Sequence, residues 1–382
     1  MWCKGRRRDA GFTGGKTVVG LVAVLCLFPV GRAVSAEQAV KPSPALELSL
    51  KDIPYKLVYE TYRETNGKEN WELYLINADG SNPVNLTNTP DLDEMYPHVS
   101  PDAKKICFEG DEMIEGRKVR NVYYINMDGS SRVKIADNAR QACWSPDCKA
   151  IAYAKAEFER YTTSDYATRG LFIYDLETAA HKEHPNKDLF HLYNINWSPD
   201  GKWFVATVHG AMGYKHTNLA VEADGVGVYD LGFPGCRPDV SPDGRSVVWC
   251  PDEKVLWGGD LDLTLPAPKV TNRRIIFAQS GSDIFQQQAD WSPDGRFVAF
   301  GRGPQKGGGG RYPVEPGCPA KGWNICIGDL TGKWVEITTD GNHNKEPDWV
   351  PIPSATRQIT EKETKNSPLE RILSHPIVQK DN

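Results

Sequence analysis

The sequence lacks the short motifs that usually mark a catalytic or metal centre. It contains no Cys-x-x-Cys and no His-x-x-x-His, so its cysteines and histidines are not spaced for zinc. It contains no Gly-x-Ser-x-Gly, which argues against a fused peptidase of the α/β-hydrolase type. The glycine run at 307–310 is not followed by Gly-Lys-Ser or Gly-Lys-Thr, so we expect a flexible loop there and not a phosphate-binding loop.

Positive charge is also in deficit. The chain has 45 Lys and Arg against 50 Asp and Glu, a formal net charge of −5. An acidic chain is a poor match for nucleic acid or for an anionic membrane surface, so neither is expected as a partner. The 35 Gly and 27 Pro instead favour a turn-rich, all-β domain.

Long apolar runs are absent except for one near the N-terminus. Basic residues between Lys4 and Lys16 precede an apolar run at 17–30, and the small-residue stretch Ala33-Val-Ser-Ala36 follows. This order predicts a secretory signal peptide over 1–36. The alternative, a permanent anchor, would need roughly 20 apolar residues. We therefore expect a periplasmic or secreted protein with no stable membrane span after cleavage.

Cleavage would leave seven cysteines, an odd number. Export permits disulfides, but at least one thiol must then stay unpaired. Cys236 and Cys250 lie almost symmetrically about a turn at 242–243, so they are candidates to pair across a hairpin. Cys318 and Cys326 flank a short segment that a second disulfide could close.

One phrase, close to Trp-Ser-Pro-Asp-Gly, is repeated along the chain. Five copies have their Ser at positions 100, 145, 198, 241 and 292, and a sixth copy, Glu346-Pro-Asp-Trp-Val-Pro351, breaks off. A repeat of roughly 40–50 residues is typical of propellers and solenoids. Pro presets the turn geometry, while Ser and Asp accept local backbone hydrogen bonds.

The two ends of the repeat complement each other. An apolar strand follows every complete phrase, but the first such strand, at 56–59, has no phrase before it. The unfinished sixth phrase would supply the missing innermost strand, which leaves no open sheet edge. The sequence therefore predicts a six-bladed β-propeller of four-stranded antiparallel blades over 54–352, closed by the C-terminal strand. A short tether, 37–53, precedes it and a polar tail, 353–382, follows.

The repeated phrase, together with Asn77-Ala-Asp-Gly-Ser81 and the following Leu86-Thr87, resembles the WD-like repeat of TolB-like β-propellers. The resemblance covers about 54–352 and implies a propeller that binds other proteins at the cell envelope. The same repeat also occurs in propellers attached to peptidases and in stand-alone exported proteins. TolB carries an α/β domain before its propeller, and 37–53 is too short for that domain.

The predicted strand order gives the propeller two unequal rims. The Ser-Pro-Asp-Gly and Asp-Gly turns lie on one rim, which we call the turn rim. The connections 63–70, 110–120, 155–169, 209–216 and 301–323 lie on the other, which we call the long-loop rim. Because binding usually resides in long loops on a rigid scaffold, we expect a protein, peptide or glycan site there. Its candidates are Tyr161, Tyr166, His209, Tyr214, His216, Arg302, Arg311, Tyr312 and Trp323. The alternative is that these loops bind nothing.

Polar residues also recur on the innermost strands. Just before the Trp or Val of each phrase come His98, Cys143, Asn196, Asp239, Asp290 and Asp348, which we expect to line the axial channel. Carboxylates around an axis can hold a hard cation, so Ca²⁺ at Asp239, Asp290 and Asp348 is one prediction, and the basic end of a partner is another. The alternative is structural, with Asp bonding the backbone or buried Trp of the neighbouring blade.

Two functions are compatible with these features. The first is an exported, monomeric scaffold that binds a protein or peptide and has no chemistry of its own; deleting 303–321 should then leave folding intact but abolish binding. The second is a carbohydrate-active propeller enzyme of the oligosaccharide lyase type. It would need an acid and a base at the channel mouth, drawn from His98, His209, Tyr214, His216 and the aspartates.

Overall fold

The computed structural model describes residues 50–278, 281, 283–306 and 313–352. The predicted signal peptide 1–36, most of the tether 37–53 and the tail 353–382 lie outside these residues, as does the glycine run 307–310. Within the described residues, no helix is long and apolar enough to cross a membrane.

In the described residues, short apolar runs between turn signals form 24 strands in six four-stranded antiparallel sheets. Blade 1 contains β1 (Lys56–Thr65), β2 (Lys68–Asn77) and β3 (Val84–Asn85). Blade 2 contains β4 (Asp93–Val99), β5 (Lys105–Ile114), β6 (Arg117–Asn126) and β7 (Val133–Ala136). Blade 3 contains β8 (Ala139–Trp144), β9 (Ala150–Ala156), β10 (Thr168–Asp175) and β11 (His181–Glu183). Blade 4 contains β12 (Leu192–Trp197), β13 (Trp203–His209), β14 (His216–Glu222) and β15 (Val228–Asp230). Blade 5 contains β16 (Cys236–Val240), β17 (Ser246–Cys250), β18 (Leu256–Asp262) and β19 (Lys269–Phe277). Blade 6 contains β20 (Ile284–Trp291), β21 (Phe297–Pro304), β22 (Asn324–Asp329) and β23 (Trp334–Glu336), and β24 (His343–Val350) completes blade 1.

The repeated phrase forms the turn between the first and second strands of a blade. In the first copy, Ser100 Oγ donates to Asp102 Oδ1 (2.7 Å) and accepts from the backbone N–H of Lys105 (2.9 Å). The fourth turn residue has a positive φ, which suits Gly but is occupied by Ala103 (57°) and Cys148 (61°) in blades 2 and 3. These two turns therefore hold a side chain in a left-handed conformation that glycine adopts more easily.

The C-terminal strand closes the ring as predicted. β24 pairs with β1, with Lys56 opposite Val350 and Tyr62 opposite His343. The innermost strand of every blade packs on those of both neighbouring blades, so the cycle is complete. The apolar core lies between blades; for example, Leu57 of blade 1 packs in one cluster with Phe297 of blade 6. The six-bladed all-β prediction is confirmed.

Each innermost strand carries a β-bulge that the sequence pattern did not predict. All six strands shift register at an equivalent place, where one residue has φ between 49° and 61°. These residues are Tyr96, Gln141, Asn194, Arg237, Gln288 and Glu346. The signal that could have revealed the bulges is the proline that follows three of them, because Pro inside a strand is confined to edges and bulges.

Neighbouring blades are joined around the axis by tryptophan. The indole N–H of Trp349 donates to Asp290 O (3.1 Å), and its backbone N–H donates to Asp290 Oδ2 (2.9 Å). Trp291 makes the same two bonds to Asp239, at 3.2 and 2.8 Å. We call this arrangement the seam. These bonds match the alternative given above for the aspartates, a structural role in which Asp bonds the neighbouring blade.

Replacing Trp349 by Phe should weaken the seam at the closing strand. The substitution removes one buried hydrogen bond, worth about 1 kcal/mol. Trp249 is the matched control, because it is similarly buried but its indole N–H has no hydrogen-bond partner among the described residues. In urea unfolding followed by circular dichroism, we expect Trp349→Phe to lose about 1 kcal/mol more than Trp249→Phe. Equal losses would contradict a stabilising role for the seam.

Candidate functional site

The bulges turn successive residues of each innermost strand toward the axis, where they enclose a cavity of about 110 Å³. The predicted channel residues His98, Asn196, Asp239, Asp290 and Asp348 all lie in its wall. Cys143 does not; it is fully buried in an apolar cluster between blades. A cavity of this size is too small for an oligosaccharide, since ligand pockets usually measure ~300–1,000 Å³.

The three aspartates of the wall favour the protonated state. Burial raises the pKa of Asp239 to about 7, and Asp239 hydrogen-bonds Asp290. Burial, and then the charges of Asp348 and Asp239, raise the pKa of Asp290 well above its usual value, and burial does the same for Asp348. Burial also lowers the pKa of His98 to about 4, so this imidazole is neutral at pH 7.

Among the residues that the structure describes, no metal centre is evident around the axial cavity. In the part of the chain that the structure describes, no group of three or more His, Cys, Asp or Glu side chains is arranged to hold a metal ion. Asp239 and Asp290 each give one carboxylate oxygen to the seam. Ca²⁺ at Asp239, Asp290 and Asp348 stays a prediction.

Two of the long connections fold over the axis at the long-loop rim. We call residues 157–167 and 313–322 together the plug. The guanidinium of Arg237, at a bulge, donates to Glu346 Oε1 (2.6 Å) beside it and to two groups of the plug, Asp165 Oδ2 (3.4 Å) and Val314 O (3.2 Å). The hydroxyl of Tyr96 also donates to Asp165, at 3.0 Å. The plug therefore covers the axis above the bulges.

Further bonds fasten the plug to the blades and join its two segments. Arg140 donates to Ser164 O (2.7 Å), and Lys345 donates to Glu315 O (3.1 Å). The hydroxyl of Thr163 donates to Glu315 Oε2 at 3.3 Å, which links one segment to the other. Arg140 and Lys345 are both almost fully buried, so the plug is anchored from inside the propeller.

This anchoring corrects the expectation that 303–321 can be removed without harm. Val314 and Ala320 are buried in one cluster with Phe285 and Trp323. Deleting the segment would expose that cluster and would remove one backbone acceptor from Arg237, Val314 O, and one from Lys345, Glu315 O. We now expect the deletion to unfold or strongly destabilise the chain.

Several predicted rim residues turn out to be structural. Trp323 is fully buried and its indole N–H donates to Pro304 O (3.0 Å), so its contacts here are structural and its binding role stays a prediction. Tyr161 points inward, and its hydroxyl donates to Asp111 Oδ2 at 2.6 Å. Tyr214 packs within blade 4, and Arg302 is paired with Glu336 at 3.1 Å. Arg311 and Tyr312 lie outside the described residues.

Three other predicted residues come together on the long-loop rim. The ring of Tyr166 stacks on His209 with centroids 4.1 Å apart, and His209 lies 5.1 Å from His216. His209 and His216 are exposed. The sequence missed two further members, His191 and Tyr193, which lie at the start of the adjacent strand β12. We call these five residues the rim cluster.

Within the described residues, no disulfide joins the cysteines of either predicted pair. Cys236 and Cys250 are register partners on β16 and β17, so they face each other as predicted, but no disulfide joins them. Cys318 and Cys326 are both buried, and Cys318 Sγ lies 4.0 Å from Glu315 Oε2. Neither predicted disulfide is present.

The raised pKa of the aspartates in the cavity wall should make the stability of the fold depend on pH. The unfolded chain loses the Asp239 proton above about pH 4, whereas the folded chain keeps it to about pH 7. The free energy of unfolding should therefore fall as pH rises from 4 to 7, and Asp239→Asn should reduce this fall by a few kcal/mol, because each unit of difference in pKa between the folded and unfolded chain is worth about 1.4 kcal/mol. Asp91→Asn, at a highly exposed carboxylate, is the control. A wild-type slope in Asp239→Asn, measured by urea unfolding at each pH, would contradict the assignment.

Arg237→Met should be strongly destabilising. It leaves Glu346 and Asp165 buried without their cation, and breaking such a pair costs about 3–5 kcal/mol. Lys68→Met, which removes an exposed pair with Asp91, should cost at most about 1 kcal/mol. The measurement is again the free energy of unfolding in urea. A small loss in Arg237→Met would show that the plug is not anchored through this side chain.

Comparisons with known proteins agree with the fold. No family model and no curated protein matches the chain. TolB from Acinetobacter baumannii is similar over 79% of this chain and 68% of its own, with a TM-score of 0.57 and 19% identity. A structure of a nidogen/laminin complex is similar over 78% of this chain and 98% of that chain, with a TM-score of 0.53 and 8% identity. An oligogalacturonate lyase in complex with manganese is similar over 60% of this chain and 68% of that chain, with a TM-score of only 0.42 and 12% identity. This similarity is too low to support a lyase function. The chain is thus a TolB-like β-propeller in its fold.

Proposed function

We propose that this chain is an exported β-propeller scaffold that binds a protein or peptide at the cell envelope through its long-loop rim. The observation that carries this proposal is a set of exposed apolar side chains on two neighbouring blades of that rim. Met113 is 65% exposed and Ile114 37%, both at the tip of the β5–β6 hairpin, and Phe158 on blade 3 is 41% exposed. Large apolar side chains presented to solvent on one face favour a protein interface.

Several hydrogen bonds hold the loop that presents Phe158, which supports binding. Arg140 and Tyr161 tie its distal part to the blades, and Asn138 donates its side-chain amide to Phe158 O (3.0 Å). A loop that is already ordered loses little conformational entropy when it binds. Arg160 lies over the ring of Phe158, 5.6 Å from its centroid. The patch therefore suits a peptide that carries an apolar side chain beside a carboxylate.

Export is proposed from the basic, apolar and small-residue order of 1–36. The acidic composition and the TolB-like fold are consistent with an envelope protein that does not bind nucleic acid. Osmotic-shock fractionation with mass spectrometry of the released chain checks this part. We expect an N-terminus at Glu37 in the periplasmic or culture fraction.

The binding proposal predicts that a partner can be trapped on one rim only. With a photo-crosslinking amino acid at Phe158, irradiation of the native host should give a discrete adduct. The same amino acid at Val84 or Val226, exposed positions on the turn rim, serves as the control and should not give it. Met113→Glu should reduce the Phe158 adduct about tenfold, because an interface loses roughly 1–2 kcal/mol when an apolar contact becomes a buried charge.

The result that would contradict the proposal is equally direct. Equal adducts from both rims, or a Phe158 adduct unchanged by Met113→Glu, would show that this patch is not the binding surface. Circular dichroism of each variant establishes that a lost adduct does not come from unfolding.

A further inference from the structure

The β13–β14 hairpin ends in two histidines that face each other. His209 and His216 are register partners. The backbone N–H of His209 points away from β14 and donates to His191 O (3.1 Å), while the next residue, Gly210, donates to Lys215 O (3.2 Å). His209 and His216 therefore form a non-hydrogen-bonded pair, the kind in which cross-strand side chains come closest.

The separation of the two imidazoles matches that of ligands to one metal ion. Their ring centroids are 5.1 Å apart. A metal–nitrogen bond of about 2.0–2.1 Å at a tetrahedral angle puts the centroids of two coordinating imidazoles roughly 5 Å apart. We propose that His209 and His216 bind a divalent late transition metal ion, of the Zn²⁺, Ni²⁺ or Cu²⁺ class.

The hydrogen bonds around the pair leave the required nitrogens available. Nε2 of His216 bonds the hydroxyl of Tyr193 (2.7 Å), which fixes that ring and leaves Nδ1 for a ligand role. Such a bond to the second ring nitrogen is how proteins orient histidine ligands. Within the described residues, no hydrogen bond engages either ring nitrogen of His209. Partial burial first, and then a neighbouring imidazole, lower the pKa of both rings, so both are neutral at pH 7.

The third histidine of the rim cluster is not a ligand. His191 uses Nδ1 with His209 O (2.9 Å) and Nε2 with Glu157 Oε2 (3.1 Å). Two protein ligands leave the other coordination positions to water, which distinguishes this site from a closed structural zinc site. Imidazole nitrogens select late transition metals over Ca²⁺ and Mg²⁺. The site therefore differs in chemistry from the axial aspartates, and it does not depend on the proposed function.

Isothermal titration of the tag-free mature protein with Ni²⁺ and with Zn²⁺ at pH 7.5, with thiols kept reduced, tests the site. We expect one equivalent to bind in the wild type. His209→Ala and His216→Ala should each weaken binding at least about tenfold, and Tyr193→Phe should weaken it by about the same factor. His181→Ala is the matched control, because His181 is exposed and also bonds a tyrosine hydroxyl, at 2.9 Å, but has no histidine opposite it. It should bind like the wild type.

Binding should also fall when pH is lowered far enough to protonate the two imidazoles, because a protonated ring nitrogen cannot bind a metal ion. Wild-type affinity in both His→Ala variants, or no binding by the wild type, would overturn the proposal. Circular dichroism with and without metal confirms that each variant is folded. None of these outcomes bears on the Phe158 adduct, because that adduct does not involve the two imidazoles.

Discussion

The polar interior of this propeller follows from one backbone constraint, the bulge residue of each innermost strand. Its N–H faces no further strand, and a buried amide without an acceptor is costly. In blades 2 and 3 the acceptors are the buried carboxylates Glu60 (2.6 Å) and Glu109 (2.7 Å). Burial raises the pKa of both to about 7, and the nearby Lys345 and Arg120 oppose this rise. The same two cations contact the two segments of the plug. The unpaired N–H at each of these two bulges therefore requires a buried carboxylate, the carboxylate lies beside a buried cation, and that cation bonds the plug.

This connection changes the meaning of the polar residues around the axis. Asp239 and Asp290 each accept a backbone N–H of the next blade, and Gln141 and Gln288 accept at the bulges of blades 4 and 1. Polar side chains would be needed at these positions even if the channel bound nothing. Their presence in the sequence is therefore weak evidence for a ligand. Exposed groups that no structural requirement explains are stronger evidence.

The blade count and the closing strand could be predicted because the repeated turn is held by local bonds. The Ser hydroxyl accepts a hydrogen bond from the N–H five residues later. The residues of the repeated phrase therefore determine the turn by themselves. The inward positions of Tyr161 and Trp323 could not be predicted in this way. Tyr161 turns inward to bond Asp111, fifty residues earlier on another blade. A contact so distant in sequence cannot be predicted from a local sequence pattern. His209 and His216 are intermediate: they lie across one hairpin, so a prediction of its register would have paired them, but His191 and Tyr193 join them only through the tertiary fold.

The two proposed surfaces use the rigidity of the rim differently. An apolar patch gains affinity when its loop is already ordered, because binding then costs little entropy. A two-histidine metal site requires its two rings to be held a fixed distance apart, and strand pairing at the end of β13 and β14 provides that. Arg140 anchors the plug segment that carries Phe158, and Tyr193 orients the ring of His216. In both surfaces, contacts with the blades hold the backbone or ring in place while Phe158, His209 and His216 stay exposed to solvent. Both proposed surfaces lie on blades 2 to 4 of the long-loop rim, away from the residues around the axis that hold the blades together.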